Sequence, residues 1–352
     1  MQIYSTFLLA ENSSNDFNTN KNNSKYKSQS TKSIPLTTNE GIISSQQNSM
    51  VLSDSMSTMV SNNTVSSINL SRSCDDNSLL DFFFSSENEK TKYTGEYVND
   101  IYNNLLNEEK IQNPKNIFGF MKRQQEINEQ MRAILIDWII DVHLRFRLRT
   151  SSLFTTVKII DHYLNTNQIQ RNNFQLLGIA AFLIACKHDE IFIPKLEDLI
   201  YVTDNAYKKE ELVKMEEIVL DNLSFNILGP SPLDFYEILA KSFGFKKVEF
   251  YLGRFFMESF LLDINYTKYS PSVIACACAY IVMKYYKLPN YQKLYDKRLN
   301  SEGVSQTFIK ETAKEICFFI DGLSSTDLKA TRNKYSLAQY GEVSNIHSNS
   351  SK

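Results

Sequence analysis

The chain has 352 residues, room for two domains and their tails at roughly 150 residues per domain. Its formal charge of −2 gives no global basic field, which argues against general nucleic-acid binding. No apolar stretch approaches the ~20 residues needed to span a bilayer, so neither nucleic acid nor membrane is an expected partner.

Hydrophobic residues make up 42% of the chain but are unevenly spread. The first ninety or so positions are mostly Asn, Ser, Thr and Lys, with recurrent Asn-Asn-Ser, Ser-Gln-Gln-Asn-Ser and Ser-Asn-Asn-Thr. A polar tract of this kind buries too little surface to offset chain entropy, so residues 1–92 are expected to be a disordered tail. Inside it, Leu79-Leu80-Asp81-Phe82-Phe83-Phe84 is either a short docking patch or a chance apolar cluster. Phe7-Leu8-Leu9-Ala10 is stopped by Glu11 and lacks a basic flank, so it is not read as a secretion signal. The cysteines, Cys74, Cys186, Cys276, Cys278 and Cys317, form no C-x-x-C pair, and most sit in apolar helical patterns. They are expected to be reduced core residues of an intracellular protein.

From Glu96 onward the pattern is helical. Tyr97, Ile101, Leu105 and Leu106 predict a short amphipathic helix, followed by a linker with Pro114 and Gly119. A long helix is predicted over 129–146, with Met131, Ile134, Leu135, Trp138 and Val142 on one face and Ile136, Ile140 and Leu144 on the other. A helix apolar on both sides is buried, or leaves one face for a partner. Thr150 and Ser151 are candidate N-caps for the next helix, whose stripe is Leu153, Val157, Ile160 and Leu164. A third helix, 172–187, carries Gly178, Ala180, Ala181, Ala185 and Cys186, small residues that allow close packing on all sides. Helices over 195–201 and 208–222 follow Pro194, and Pro230 and Pro232 mark a linker. The second half predicts helices over 233–243, 248–263, 271–287, 291–299 and 304–320. Ile274-Ala275-Cys276-Ala277-Cys278-Ala279 repeats the small-residue character of the third helix roughly 95 residues later, about one domain length. The inference is an all-α chain of two tandem five-helix units. No alternating run is long enough to argue for a sheet.

Catalytic signatures are missing. The ten glycines form no phosphate loop, and His143, His162, His188 and His347 show no metal-binding spacing, so no cofactor or metal is expected. Asp137 and Asp141 lie one turn apart, a spacing open to acid–base work, but nothing completes a site and a polar strip between two apolar faces is preferred.

The segment Met131-Arg132-Ala133-Ile134-Leu135-Ile136-Asp137-Trp138 resembles the opening signature of the cyclin box in mitotic, A/B-type cyclins. The resemblance continues in Ile159-Ile160-Asp161, Phe174-Gln175-Leu176-Leu177-Gly178, Ala185-Cys186-Lys187-His188-Asp189-Glu190, Val202-Thr203-Asp204-Asn205 and Lys214-Met215-Glu216. Leu228-Gly229-Pro230-Ser231-Pro232-Leu233, Ser270-Pro271-Ser272-Val273-Ile274-Ala275 and, upstream, Glu96-Tyr97-Val98-Asn99-Asp100-Ile101-Tyr102 also look like this group. It implies an N-terminal helix and first box over 93–229, a second box over 230–335 and a flexible tail over 336–352.

The family's function would be that of a non-catalytic subunit in the nucleus and cytoplasm. It would bind and activate a cyclin-dependent kinase, recruit substrates and control cell-cycle, mitotic progression. Arg132 and Asp161 match a structural ion pair, and Leu176 a core leucine. Lys187 and Glu216 match the charged pair that clamps the kinase, with Leu183, Phe225 and Ile227 as apolar contacts, His188 beside them, and Asp189 and Glu190 as rim charges. Met131, Ile134, Leu135, Trp138 and Gln175 match a groove for Arg-x-Leu motifs of substrates and inhibitors, with Asp141 placed to meet the motif's arginine. His188 stands where the family has Phe or Tyr, and His162 where Arg is common. Arg72, the one arginine before residue 95, opens no Arg-x-x-Leu destruction box, and no Lys-Glu-Asn triplet occurs. The alternative is a transcription-associated cyclin or a module like transcription factor IIB. The latter predicts an N-terminal zinc ribbon and a basic second repeat, and the sequence has neither.

Overall fold

The computed structural model describes residues 97–112, 117–227, 229–288 and 305–345. Among these residues there are eleven α-helices and no strand. The polar tail, its Leu79–Phe84 cluster, Cys74, His347 and the helix expected at 291–299 lie outside the described residues.

The first repeat comprises α1 (Val98–Gln112), α2 (Glu129–Phe146), α3 (Thr150–Thr166), α4 (Phe174–Asp189), α5 (Leu196–Val202) and α6 (Lys209–Asn222). Helix α4 is its hub. It packs on α2, α3 and α6, and Ala180, Ala181, Ala185 and Cys186 are fully buried where those neighbours close in. Gly178 is required by the closeness of α2, since a Cβ there would meet Leu135 Cδ1 at 2.8 Å.

The second repeat comprises α7 (Pro232–Ser242), α8 (Lys247–Phe260), α9 (Pro271–Tyr285), α10 (Gln306–Leu323) and a short α11 (Ala330–Tyr335). Helix α9 is the hub, and its Ala275–Ala279 run is buried against α7, α8 and α10. Pro271 and Pro232 each open a helix, where the missing N–H costs nothing.

Several expectations change. Thr150 is the first helical residue of α3 rather than its cap, and Ser151 follows it inside the helix. The cap is supplied from another helix end: Glu190 Oε1 accepts from the Arg149 N–H at 2.8 Å and from Ser152 Oγ at 2.9 Å. Residues 336–345, expected to be flexible, form two 3₁₀ turns in which Tyr340 and Val343 are buried. Tyr340 stacks edge-on against Tyr251 of α8, which supplies the anchor.

The repeats are joined by buried polar contacts. Arg132 Nη1 donates to the Leu261 carbonyl at 3.0 Å. Glu109 of α1 accepts from both the N–H and the hydroxyl of Ser272 at 2.7 Å, capping α9. Arg254 of α8 bonds Thr150 at the start of α3. Helix α11 returns to α2, where Asp137 Oδ1 accepts the Ala330 N–H at 3.0 Å, and it is held to α8 by Glu258, which pairs with Lys334 Nζ at 2.7 Å and Tyr335 OH at 2.6 Å.

Candidate functional site

Helix α4 is apolar for most of its length, and its charges gather in the last turn, where a cation suits the carbonyl end of the dipole. Lys187 stands there. Glu216 lies on α6, which packs alongside α4. The two meet at 2.6 Å from Nζ to Oε1, with the Glu216 side chain 10% exposed and that of Lys187 46% exposed. The pair is thus closed on its protein side and open on the other.

Exposed apolar residues gather at neighbouring chain positions. Helix α6 ends with Ser224 and Phe225 both at positive φ, 49° and 58°, and the Phe225 N–H returns to the Leu220 carbonyl at 2.9 Å. This closure resembles a Schellman turn made without glycine, a strained choice that turns the Phe225 ring outward to 66% exposure. Ile227 is partly exposed. In the loop after α4, Ile191, Phe192 and Ile193 are 72%, 46% and 46% exposed. Sequence reasoning missed these three, although an apolar triplet just before Pro194 and outside any helical stripe was the available signal.

Three expected contacts are already engaged within the fold. Leu183 is 1% exposed, because α4 is surrounded on all sides, so it cannot reach a partner. Asp189 and Glu190 are not free rim charges. Asp189 accepts from Thr155 at 2.7 Å and contacts His188 Nδ1 at 2.6 Å, while Glu190 caps α3. Burial raises the Glu190 pKa, opposed by its bonds to Ser152 and Arg149. His188 itself is exposed beside Lys187.

The proposed groove on α2 is also only partly open. Met131, Ile134, Asp141 and Gln175 are partly exposed. Leu135, at 1%, is core, pressed against Gly178, and Trp138 keeps 9% of its surface accessible. Both faces of α2 are therefore largely buried, because α11 and α4 cover what the pattern left unassigned. Asp141 is already paired with Arg145 at 2.8 Å, so an incoming arginine would have to compete.

The remaining pair is fully internal. Arg132 and Asp161 form a bidentate bridge with both contacts at 2.7 Å, and Arg132 is completely buried. Asp137, whose pKa burial pushes up to about 6, caps α11. Among the described residues no His, Cys, Asp and Glu cluster forms a metal site, and no helix is long and apolar enough to cross a membrane.

Known proteins match this architecture. The family model "Cyclin, N-terminal domain" matches residues 100–228 and "Cyclin, C-terminal domain" matches residues 230–349. Cyclin-B1-5 of Oryza sativa subsp. japonica is 34% identical over 250 residues, which is 71% of this chain and 54% of that protein. The G2/mitotic-specific cyclin-B of Hydra vulgaris is 32% identical over 251 residues, 71% of this chain and 68% of that protein. A viral cyclin from herpesvirus saimiri shares the fold, with a TM-score of 0.57 and 21% identity over 63% of this chain and 96% of its own. The chain spans about half the length of several curated relatives it matches. Two tandem helical repeats, each matched by its own family model, place this chain in the cyclin family.

Proposed function

We propose that this chain is a non-catalytic regulatory subunit that binds and activates a cyclin-dependent kinase, recruits its substrates and serves mitotic progression. One observation carries the reading. Lys187, in the last turn of α4, and Glu216, inside α6, form a pair sealed on one side and open on the other, and the segments that follow the two helices expose Phe225 and Ile191–Ile193. Consecutive exposed apolar side chains such as Ile191–Ile193 are suited to a protein partner. Relatives named as G2/mitotic-specific cyclins support the phase.

The physics is that of a population shift. A protein kinase works only when its C-helix glutamate pairs with the strand-three lysine and its activation loop is ordered. A partner that binds only the inward position of that helix stabilises it. A preference of about 10⁴-fold, or about 5.5 kcal/mol, moves such an equilibrium from almost fully off to almost fully on. In this reading Lys187 and Glu216 clamp the C-helix while the apolar residues exclude water. Met131, Ile134 and Gln175 offer the partly open edge on which an Arg-x-Leu motif would rest.

The test is reconstitution. The purified chain is mixed with cyclin-dependent kinases, and histone phosphorylation is measured alongside complex formation by gel filtration. Stimulation of at least one kinase by about 100-fold or more is expected. A folded chain that forms no complex with any of them overturns the proposal.

A further inference from the structure

His188, exposed in the last turn of α4, follows Lys187 and is followed by the partly buried Asp189. Two hydrogen bonds run in series from α3 to the imidazole. Thr155 Oγ1 donates to Asp189 Oδ2 at 2.7 Å, and Asp189 Oδ1 lies 2.6 Å from His188 Nδ1. An ionised carboxylate only accepts, so both neighbours must donate to it, and Nδ1 carries the ring's N–H. Nε2 of the neutral ring then holds a lone pair. Among the described residues it meets no hydrogen-bond partner. The threonine holds the carboxylate and the carboxylate holds the ring, so the lone pair has its direction before any partner arrives.

The surroundings decide what this atom can do. Glu190 caps α3, both Asp189 oxygens are engaged, and Lys187 and Glu216 hold each other. The segments that follow α4 and α6 expose Ile191–Ile193 and Phe225. Nε2 thus adds a directed acceptor to a surface made of a charge pair and hydrocarbon. In the free chain water can satisfy it, and a partner covering the surface removes that water. An N–H or O–H of the partner replaces the lost bond. An apolar group there strands the acceptor and costs affinity.

We propose that His188 is a specificity-determining residue of this surface, its Nε2 accepting a hydrogen bond from an N–H or O–H group of the kinase. The inference rests on the kinase-binding reading above. Kinases that place a donor opposite His188 are accepted, and those that place an apolar side chain there are disfavoured.

Dissociation constants are measured for the full-length chain against a panel of cyclin-dependent kinases. His188→Phe keeps a ring but lacks the acceptor, and His188→Gln restores an acceptor near the position of Nε2. For the kinase bound most tightly, the Phe variant is expected to bind about tenfold more weakly, and the Gln variant to recover most of that loss. Weakly bound kinases should lose nothing with Phe, so the spread across the panel narrows. His188 is exposed, so both variants should keep the wild-type urea midpoint. Ring-nitrogen NMR of the free, histidine-labelled chain is expected to show the His188 proton on Nδ1, with the signal assigned by its loss in His188→Phe. Asp189→Ala should move that proton to Nε2, the form an unheld imidazole prefers, and the wild-type spectrum stands even if this variant fails to fold. Equal affinities of wild type and His188→Phe in complexes that do form, or a wild-type proton on Nε2, overturns the proposal and leaves the kinase reading intact. A folded chain that binds no kinase of the panel overturns both.

Discussion

Two pairs of opposite charge in this molecule have nearly the same contact distance and opposite surroundings. Arg132 and Asp161 meet at 2.7 Å with side chains 0% and 5% exposed. Lys187 and Glu216 meet at 2.6 Å with side chains 46% and 10% exposed. The first is bidentate and extends to the Leu261 carbonyl, so it fixes helix to helix and repeat to repeat. The second is a single contact that a helix end presents to solvent. Distance alone does not separate a closed bridge from an open one; burial and spare hydrogen-bonding capacity do. An ammonium with three donors and one protein partner holds bonds in reserve, whereas the Arg132 guanidinium spends its donors inside the fold.

Removing both members of the open pair gives the largest contrast. For Lys187→Ala with Glu216→Ala, kinase activation is expected to fall by about 100-fold or more, since the partner loses both contacts. Unfolding free energy, measured with urea, should change by less than about 2 kcal/mol, because removing both partners leaves no buried charge alone. Loss of stability well beyond that would make the pair structural. Breaking the closed pair has the opposite signature. Arg132→Met strands the Asp161 carboxylate and the Leu261 carbonyl and should cost about 3–5 kcal/mol, read as a fall in the urea midpoint. Adding Asp161→Leu should recover part of the loss, because no buried charge is then left alone. If Arg132→Met unfolds with the wild-type midpoint, the repeats are not held by this bridge.

The same contrast explains what could be read from the sequence. Helices α1 to α10 follow from apolar periodicity, because each buries a stripe or a whole surface and that demand is local. The hubs α4 and α9 were legible from their small residues. The charged pairs came through the family resemblance, since spacing alone does not say that Arg132 will meet Asp161 across two helices. Long-range contacts stayed hidden. Arg132 reaches a carbonyl 129 residues away, and Glu190 caps a helix that begins forty positions earlier. Helix α11, Ala-Thr-Arg-Asn-Lys-Tyr, has no apolar stripe, and its anchors are Asp137 and Glu258. Leu135 and Leu183 were misplaced for one reason: when a helix is apolar all round, periodicity cannot say which face remains open.

Asp137 sharpens the comparison from the buried side through pH. Burial raises its folded pKa from the ordinary 3.8 to about 6, so between these values the folded state holds more protons than the unfolded one. Stability contributed by this group therefore falls as pH rises from about 4 to about 6 and stays lower above that. Asp137→Asn retains an acceptor for the Ala330 N–H and removes the charge. It should flatten that slope and stabilise the protein at pH 7 by about 1–2 kcal/mol, measured by urea unfolding across the pH range. An unchanged pH profile would mean that the carboxyl is better solvated than its packing implies.

The smallest expected effect concerns α2, where open and closed surface meet on one helix. Trp138 is a poor probe of the groove, because truncating a side chain only 9% exposed should cost about 3–5 kcal/mol of stability whatever binds there. Met131 and Gln175 are partly exposed and can be shortened without emptying the core. Met131→Ala with Gln175→Ala should slow phosphorylation of an Arg-x-Leu substrate by about five- to tenfold, the scale of lost apolar contact and one hydrogen bond. Phosphorylation of a short peptide lacking the motif should be unchanged, because that reaction needs only the activated kinase. Equal losses on both substrates would place the two residues in folding or kinase activation. Losses confined to the motif-bearing substrate would mark α2 as a second open surface, built beside the helix face that carries Arg132.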